Sequence, residues 1–177
     1  MDEARESVEV MLSAEEIAQA VRRLAEEISE AYEGKKLLLV GVLKGAFVFL
    51  SDLARALRIP CQIEFMRAAS YGDNTSGGDV AVIQDLHLPL SDYDVLVVED
   101  ILDSGRTLAT LLRHLRAREP HSLALCAFLD KPERREVPVE ADFVGLRIPD
   151  TFVVGYGLDY AEKYRGLPYI AKLRIEY

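Results

Sequence analysis

The 177-residue chain has little with which to bind a transition metal: two cysteines, Cys61 and Cys126, and three histidines, His87, His114 and His121. None of them stands at a metal-ligand spacing, so no zinc site is expected. Both cysteines sit in apolar, strand-like runs and read as buried free thiols, and the histidines are assigned surface or packing roles. No apolar stretch approaches the roughly 20 residues that span a bilayer. The opening Met-Asp-Glu-Ala-Arg-Glu has no signal-peptide profile, so no membrane partner and a cytoplasmic location are expected. Positive charge is also short: 21 Lys and Arg against 30 Asp and Glu leave a net charge of -9. With no basic stripe, nucleic acid and anionic membranes are disfavoured as partners, and an anionic substrate must be met by local donors. No Gly-x-x-x-x-Gly-Lys-Ser/Thr loop occurs. Gly155 and Gly157 lack the third glycine of a dinucleotide fingerprint, since Tyr160 stands in its place.

What remains is an ordinary globular composition, 50% hydrophobic and 29% charged, in one domain's length. The most informative stretch is Val95 to Leu108. Val95-Leu-Val-Val98 reads as a buried strand ending in Glu99 and Asp100; after Ile101 and Leu102 comes a polar turn, Asp103-Ser-Gly-Arg-Thr107. A helical periodicity then opens at Leu108, Leu111, Leu112 and Leu115. In an open α/β sheet, ligands bind beyond the carboxyl ends of parallel strands, where the next helix offers unpaired N–H groups. Asp103, Ser104, Gly105, Arg106 and Thr107 therefore form a candidate phosphate cradle. The turn alone is equally readable as ordinary N-cap chemistry, but two adjacent acids ahead of it are not. Carboxylates repel a bare phosphate, so Glu99 and Asp100 are expected to face hydroxyls or a cation, and a phosphate beside a polyol describes a sugar phosphate.

Val8, Val10 and Leu12 alternate as a strand, and Ser13 to Glu16 is a capping box opening a helix striped by Ile17, Val21, Leu24 and Ile28, with Gly34 as its stop. Leu37 to Val42 reads as a buried parallel strand, broken by Leu43-Lys44-Gly45 before a helix over Ala46 to Leu57. Lys44 and Gly45 thus share the strand-to-helix position of the cradle. Strands are expected at Cys61 to Met66 and Asp79 to Gln84, joined by a Gly-rich loop read as a lid over about 68–79. Further strands are expected at Ser122 to Leu129, at Ala141 to Leu146 and through Tyr169, Ala171, Leu173 and Ile175. Arg134, Arg135, Glu136 and Glu140 read as a solvated charged loop, and Phe152 and Val153 as core by default.

From Lys44 to Arg165 the order of these pieces resembles the type I phosphoribosyltransferases, and Asp130-Lys131-Pro132, Phe152 and Gly157-Leu-Asp159-Tyr160 resemble the branch acting on 6-oxopurines. The resemblance implies one domain, 1–177, of α/β fold: a twisted, mainly parallel sheet flanked by helices, with a small hood from parts of both termini over the strand ends. It implies that the substrates are 5-phosphoribosyl-1-diphosphate and a 6-oxopurine. Glu99 and Asp100 would hold the ribose hydroxyls, Asp103 to Thr107 the 5-phosphate, Lys44 and Gly45 the diphosphate through their backbone, with a non-proline cis peptide there, and Arg165 would reach the diphosphate as well. Asp103 would accept a proton near N7. Lys131 would donate to the exocyclic oxygen, Phe152 would stack on the base, and Val153 and Asp159 would complete the purine site, with main-chain groups near them facing the base edge. Tyr71, in Ser70-Tyr71-Gly72, would close over the centre. Mg2+ is the implied cofactor, held mainly by substrate oxygens near Glu99, Asp100 and Asp159, and a homodimer or homotetramer is the implied assembly. Two alternatives stay open: a regulatory phosphoribosyl-binding protein on the same fold, and a transferase for another base such as uracil or adenine.

Overall fold

The structure, a computed structural model, describes residues 5–71 and 79–177. Six strands form one sheet. β2 (Leu37–Val42), β3 (Gln62–Tyr71), β4 (Asp79–Gln84), β5 (Asp94–Leu102), β6 (Ser122–Asp130) and β7 (Phe143–Arg147) lie in the order β4-β3-β2-β5-β6-β7. Every neighbouring pair is parallel except β3 with β4. A second sheet, β1-β9-β8, joins β1 (Arg5–Leu12) to β9 (Ile170–Glu176) and the short β8 (Val153–Val154), all antiparallel. Segments near both ends of the chain therefore build the smaller sheet.

Strand alternation divides the core between the two faces of the large sheet, because successive side chains point to opposite sides. Leu37 and Leu39 of β2, Leu96 and Val98 of β5, and Cys126 and Phe128 of β6 join α1 (Ala14–Ala31) and α2 (Phe47–Ala56) on one face. Leu38, Val40, Val95, Val97, Leu125 and Ala127 join α3 (Arg106–Ala117) on the other. Covering both faces is what lets the central strands be continuously apolar. The capping box forms, with Ser13 Oγ accepting from the Glu16 N–H at 3.1 Å, and Ile17, Val21, Leu24 and Ile28 are all buried.

Several boundaries differ from the sequence reading. β5 runs on to Leu102, so Glu99 and Asp100 lie inside the strand rather than beyond it. α3 begins at Arg106, so Arg106 and Thr107 belong to its first turn. β3 continues through Ala68, Ala69 and Ser70 to Tyr71, paired with β4, where a loop was expected. The rest of the expected lid, 72–78, and the Tyr71 side chain lie outside the described residues. No helix among the described residues is long and apolar enough to cross a membrane.

Candidate active site

The cradle is built where β5 gives way to α3. Gly105 is the residue ahead of α3, in the left-handed region at φ +85, and it brings no capping side chain; the nearest substitute is a long 3.4 Å contact from the Arg106 N–H to Ser104 Oγ. The ordinary-capping explanation therefore does not account for Asp103, Ser104 and Thr107. The first N–H groups of a 12-residue helix, at the positive end of its dipole, instead remain available to an anion. A cleft of about 280 Å³ lies against them, lined by Gly45, Glu99, Asp100, Asp103, Ser104 and Thr107 among others.

Glu99 is buried, and its Oε1 accepts the Asp100 N–H at 3.0 Å. Burial pushes its carboxyl well above the usual range, and the neighbouring Asp100 charge adds to the effect. Asp100 accepts the Ile101 N–H at 2.7 Å, while its other oxygen lies against Gly45, where a Cβ would collide with it. Gly157, at φ +96, lies in turn against the Gly45 carbonyl, where a Cβ would also collide. Glycine is thus required twice to bring two loops together against the end of β5. The Leu43–Lys44 peptide is cis. Lys44 Nζ meets Glu162 Oε2 at 3.3 Å; Arg165 donates to the Gly157 carbonyl at 2.7 Å and pairs with Asp159 at 3.3 Å.

Lys131 follows β6, the strand beside β5, and its N–H donates to the Leu102 carbonyl at 3.0 Å, tying it to the root of the cradle. It is only 5% exposed, yet no ion pair among the described residues engages its ammonium group. No buried side-chain nitrogen among the described residues lacks a partner, so the stem is buried while the ammonium tip still meets solvent and is free to donate to a ligand. Phe152 is 53% exposed, edge-on to Tyr160 at 5.8 Å, and so is not core; Val153 is buried in β8.

The charged loop is exposed at Arg134, Glu136 and Glu140, as expected, but not at Arg135, and Arg134, Arg135 and Glu136 are engaged with the cradle. A 3-10 turn, Pro132–Arg134, folds Arg134 back so that its Nε lies 3.0 Å from Asp103 Oδ1 and 3.8 Å from Asp150, and the Asp103 carboxylate holds the guanidinium above its ordinary value. Arg135 is largely buried. It donates to the Leu102 and Asp103 carbonyls at 3.3 and 2.6 Å and pairs with Asp130 at 2.5 Å. Glu136 pairs with Arg106 and donates its N–H to the Ser104 carbonyl at 2.9 Å. Arg134, Arg135, Glu136 and Glu162 were missed as site residues. The only trace in sequence is their place three to five positions after Lys131 or Asp159. Two histidines outside the site also have partners: His114 with Asp85 at 2.7 Å and His121 with Asp94 at 3.0 Å.

Glu99, Asp100 and Asp159 do not form a protein cage: among the described residues no three carboxylate, imidazole or thiol groups gather closely enough to hold a metal. That donor set fits a hard cation retaining its waters and bound chiefly through substrate oxygens.

An open parallel sheet with an anion cradle at one strand end, acids beside it and a glycine loop on the next strand defines an α/β sugar-phosphate-binding protein. The chain belongs to the phosphoribosyltransferases: the family model for the phosphoribosyl transferase domain matches residues 7–161. It is 48% identical over 172 residues to the hypoxanthine phosphoribosyltransferases of Salmonella typhimurium and Escherichia coli, spanning 96% of this chain and 97% of each of theirs. The crystal structure of a hypoxanthine-guanine phosphoribosyltransferase from Bacillus anthracis superposes with a TM-score of 0.90 at 41% identity, covering 96% of this chain and all of that one (100%). The hypoxanthine phosphoribosyltransferase of Trypanosoma cruzi, in a ternary substrates complex, superposes at 0.88 with 39% identity over 97% of this chain and 96% of that one.

Proposed function

We propose that the protein transfers the 5-phosphoribosyl group from 5-phosphoribosyl-1-diphosphate to hypoxanthine or guanine, with xanthine as a further acceptor to test, releasing diphosphate and the nucleoside 5′-monophosphate. The observation that carries this reading is Lys131, its main chain tethered to Leu102 at the root of the cradle, its stem buried and its ammonium tip in no ion pair among the described residues. A donor there favours the oxygen of a 6-oxopurine and loses its acceptor when a 6-amino group takes that place.

In this reading Ser104, Gly105, Arg106 and Thr107 bind the 5-phosphate with main-chain and hydroxyl donors. Glu99 and Asp100 accept from the ribose hydroxyls, and Lys44, Gly45 and Arg165 hold the diphosphate. Phe152 stacks on the base, and Val153 offers main-chain groups to its edge. Asp103 accepts the proton from N7 as the base becomes nucleophilic, and Lys131 stabilises negative charge developing on the exocyclic oxygen. Magnesium, when bound, offsets charge on the leaving diphosphate; Glu99 and Asp100 on β5 and Asp159 across the cleft are the residues that would hold it or its waters. Tyr71 would exclude water. A homodimer or homotetramer acting in the cytoplasm completes the proposal.

Purified protein is to be assayed spectrophotometrically with 5-phosphoribosyl-1-diphosphate, magnesium and each of hypoxanthine, guanine, xanthine, adenine and uracil, with EDTA as the control. Turnover confined to 6-oxopurines and abolished by EDTA is expected. Silence with all five bases from folded protein would overturn the proposal in favour of a regulatory ligand-binding role.

A further inference from the structure

Between Tyr160 and Arg165 the backbone follows a course that side chains disfavour. Ala161, Glu162 and Tyr164 all have positive φ, at 50, 63 and 78. Non-glycine residues hold such angles only where the surroundings over-determine them, and they cluster at functional sites. The surroundings here do over-determine them. Tyr160 and Lys163 exchange main-chain hydrogen bonds at 3.1 and 2.9 Å, and the Glu162 N–H donates to Asp159 Oδ2 at 2.9 Å. From the second sheet, Glu6 of β1 accepts from Lys163 Nζ at 2.6 and 2.7 Å and from the Tyr164 hydroxyl at 2.5 Å.

The loop so fixed delivers one carboxylate to one place. Glu162 reaches Lys44 Nζ at 3.3 Å and the Arg165 guanidinium at 3.3 and 3.4 Å, bridging two loops that are 118 residues apart in sequence at Lys44 and Glu162. Both residues are given to diphosphate by the proposed function, Arg165 by its guanidinium and Lys44 by its main chain; the inference rests on that reading and adds the Lys44 ammonium to the contact. The side chains of Glu162 and Lys44 are mostly exposed, at 64% and 51%, and exposed ion pairs contribute little to stability. Folding alone therefore does not explain three strained residues spent on this contact. Nor does Arg165 need Glu162 to be held in place, since the Gly157 carbonyl and Asp159 already hold it.

We infer that Glu162 is an internal competitor of diphosphate. Its carboxylate takes the donors of Lys44 and Arg165 that the oxygens of a leaving group would take. Diphosphate binding must displace it, and its return favours release of that product. The step is an exchange of ion pairs and involves no bond making or proton transfer.

The competitor and the alternative, a carboxylate that pre-arranges the two cations for diphosphate, predict opposite signs. Isothermal titration of magnesium diphosphate into the wild type and Glu162→Gln is expected to show about tenfold tighter binding by the variant, because one carboxylate at ion-pair distance from both cations is removed. Nucleoside 5′-monophosphate affinity should stay within about twofold, and the KM for 5-phosphoribosyl-1-diphosphate should fall. Equal or weaker diphosphate binding by Glu162→Gln overturns the inference. Lys44→Ala and Arg165→Ala serve as the reference: if they lose diphosphate while Glu162→Gln matches the wild type, only the competitor role falls. If the wild type does not bind diphosphate, the assignment of these cations falls, and the inference with it.

Discussion

Arg134 donates through Nε to Asp103 Oδ1 at 3.0 Å, and its guanidinium also faces Asp150 at 3.8 Å. The residue proposed to take the proton from the purine is thus held by a side chain from the loop that also presents Lys131. Three charged neighbours bear on that carboxylate's placement: Arg134 directly, Arg135 through the Asp103 carbonyl, and Asp150 through Arg134. Arg134→Ala is expected to lower kcat about fivefold, close to the ~1 kcal/mol of a well-oriented exposed pair, with little change in the KM for 5-phosphoribosyl-1-diphosphate. Combined with Asp103→Asn, it should cost almost nothing more than Asp103→Asn alone, since the two act as one unit. Steady-state kinetics of the two single variants and the double variant check this; additive losses would separate Arg134 from Asp103.

A Cβ at residue 45 would collide with the carboxylate of Asp100. Asp100 is the proposed ribose-binding acid, so Gly45→Ala acts on binding through a displaced neighbour. The strand beneath it is fully buried and paired on both sides, which leaves the fold intact. The KM for 5-phosphoribosyl-1-diphosphate should rise about tenfold or more, as loss of one well-placed charge-assisted hydrogen bond implies. The melting temperature should change by only a few degrees, roughly 1 kcal/mol. A variant with wild-type KM would show that Asp100 has room to move.

The sheet was legible because burial on both faces leaves a plain mark, an unbroken apolar run. Leu37 to Val42 and Val95 to Val98 could hardly be anything but central strands, and Gly105 marked the cradle. The supporting shell was not legible. Arg134 meets Asp103 31 positions away only because β6 pairs beside β5 and a 3-10 turn reverses the chain. Glu162 reaches Lys44 only through positive φ angles that no local propensity announces. Phe152 reads as core by composition and is exposed, because its ring leans on Tyr160 rather than into the sheet. Side chains whose partners come from tertiary pairing look in sequence like any surface charge.

Arg135 and Asp130 form a largely buried pair at 2.5 Å, with Arg135 16% and Asp130 8% exposed at their side chains. Removing Arg135 leaves the buried Asp130 carboxylate with only the longer contact to Arg147 at 3.8 Å, which puts the cost near the lower end of about 3–5 kcal/mol. Arg135→Ala also strips donors from the Leu102 and Asp103 carbonyls. A fall in melting temperature of roughly 10 °C is expected for a chain of this size. Arg135→Ala with Asp130→Asn should recover part of it, because the stranded charge is gone. Differential scanning calorimetry of both decides the matter: no recovery in the double variant would assign the loss to the carbonyl contacts instead.

At the other end of β5, away from the cradle, Asp94 accepts from the Ser122 hydroxyl at 2.6 Å and meets His121 Nδ1 at 3.0 Å. Burial pushes its carboxyl upward, but those two hydrogen bonds, with the charges of His121 and Lys35, outweigh burial and leave it below its ordinary value. A carboxyl whose folded value is lowered contributes stability that is complete above the unfolded value of about 3.9 and is lost as pH falls through the folded value. Asp94→Asn should therefore melt a few degrees below the wild type at pH 5 and 6, roughly 1 kcal/mol. The gap should close progressively below about pH 4 as the wild-type carboxyl protonates. Because Asp94 begins the strand whose far end bears Glu99 and Asp100, kcat and KM at neutral pH should be unchanged. Thermal melts at pH 3, 4, 5 and 6 test the sign directly: a gap that widens on acidification would mean that the neutral form, and not the carboxylate, is the one the fold prefers.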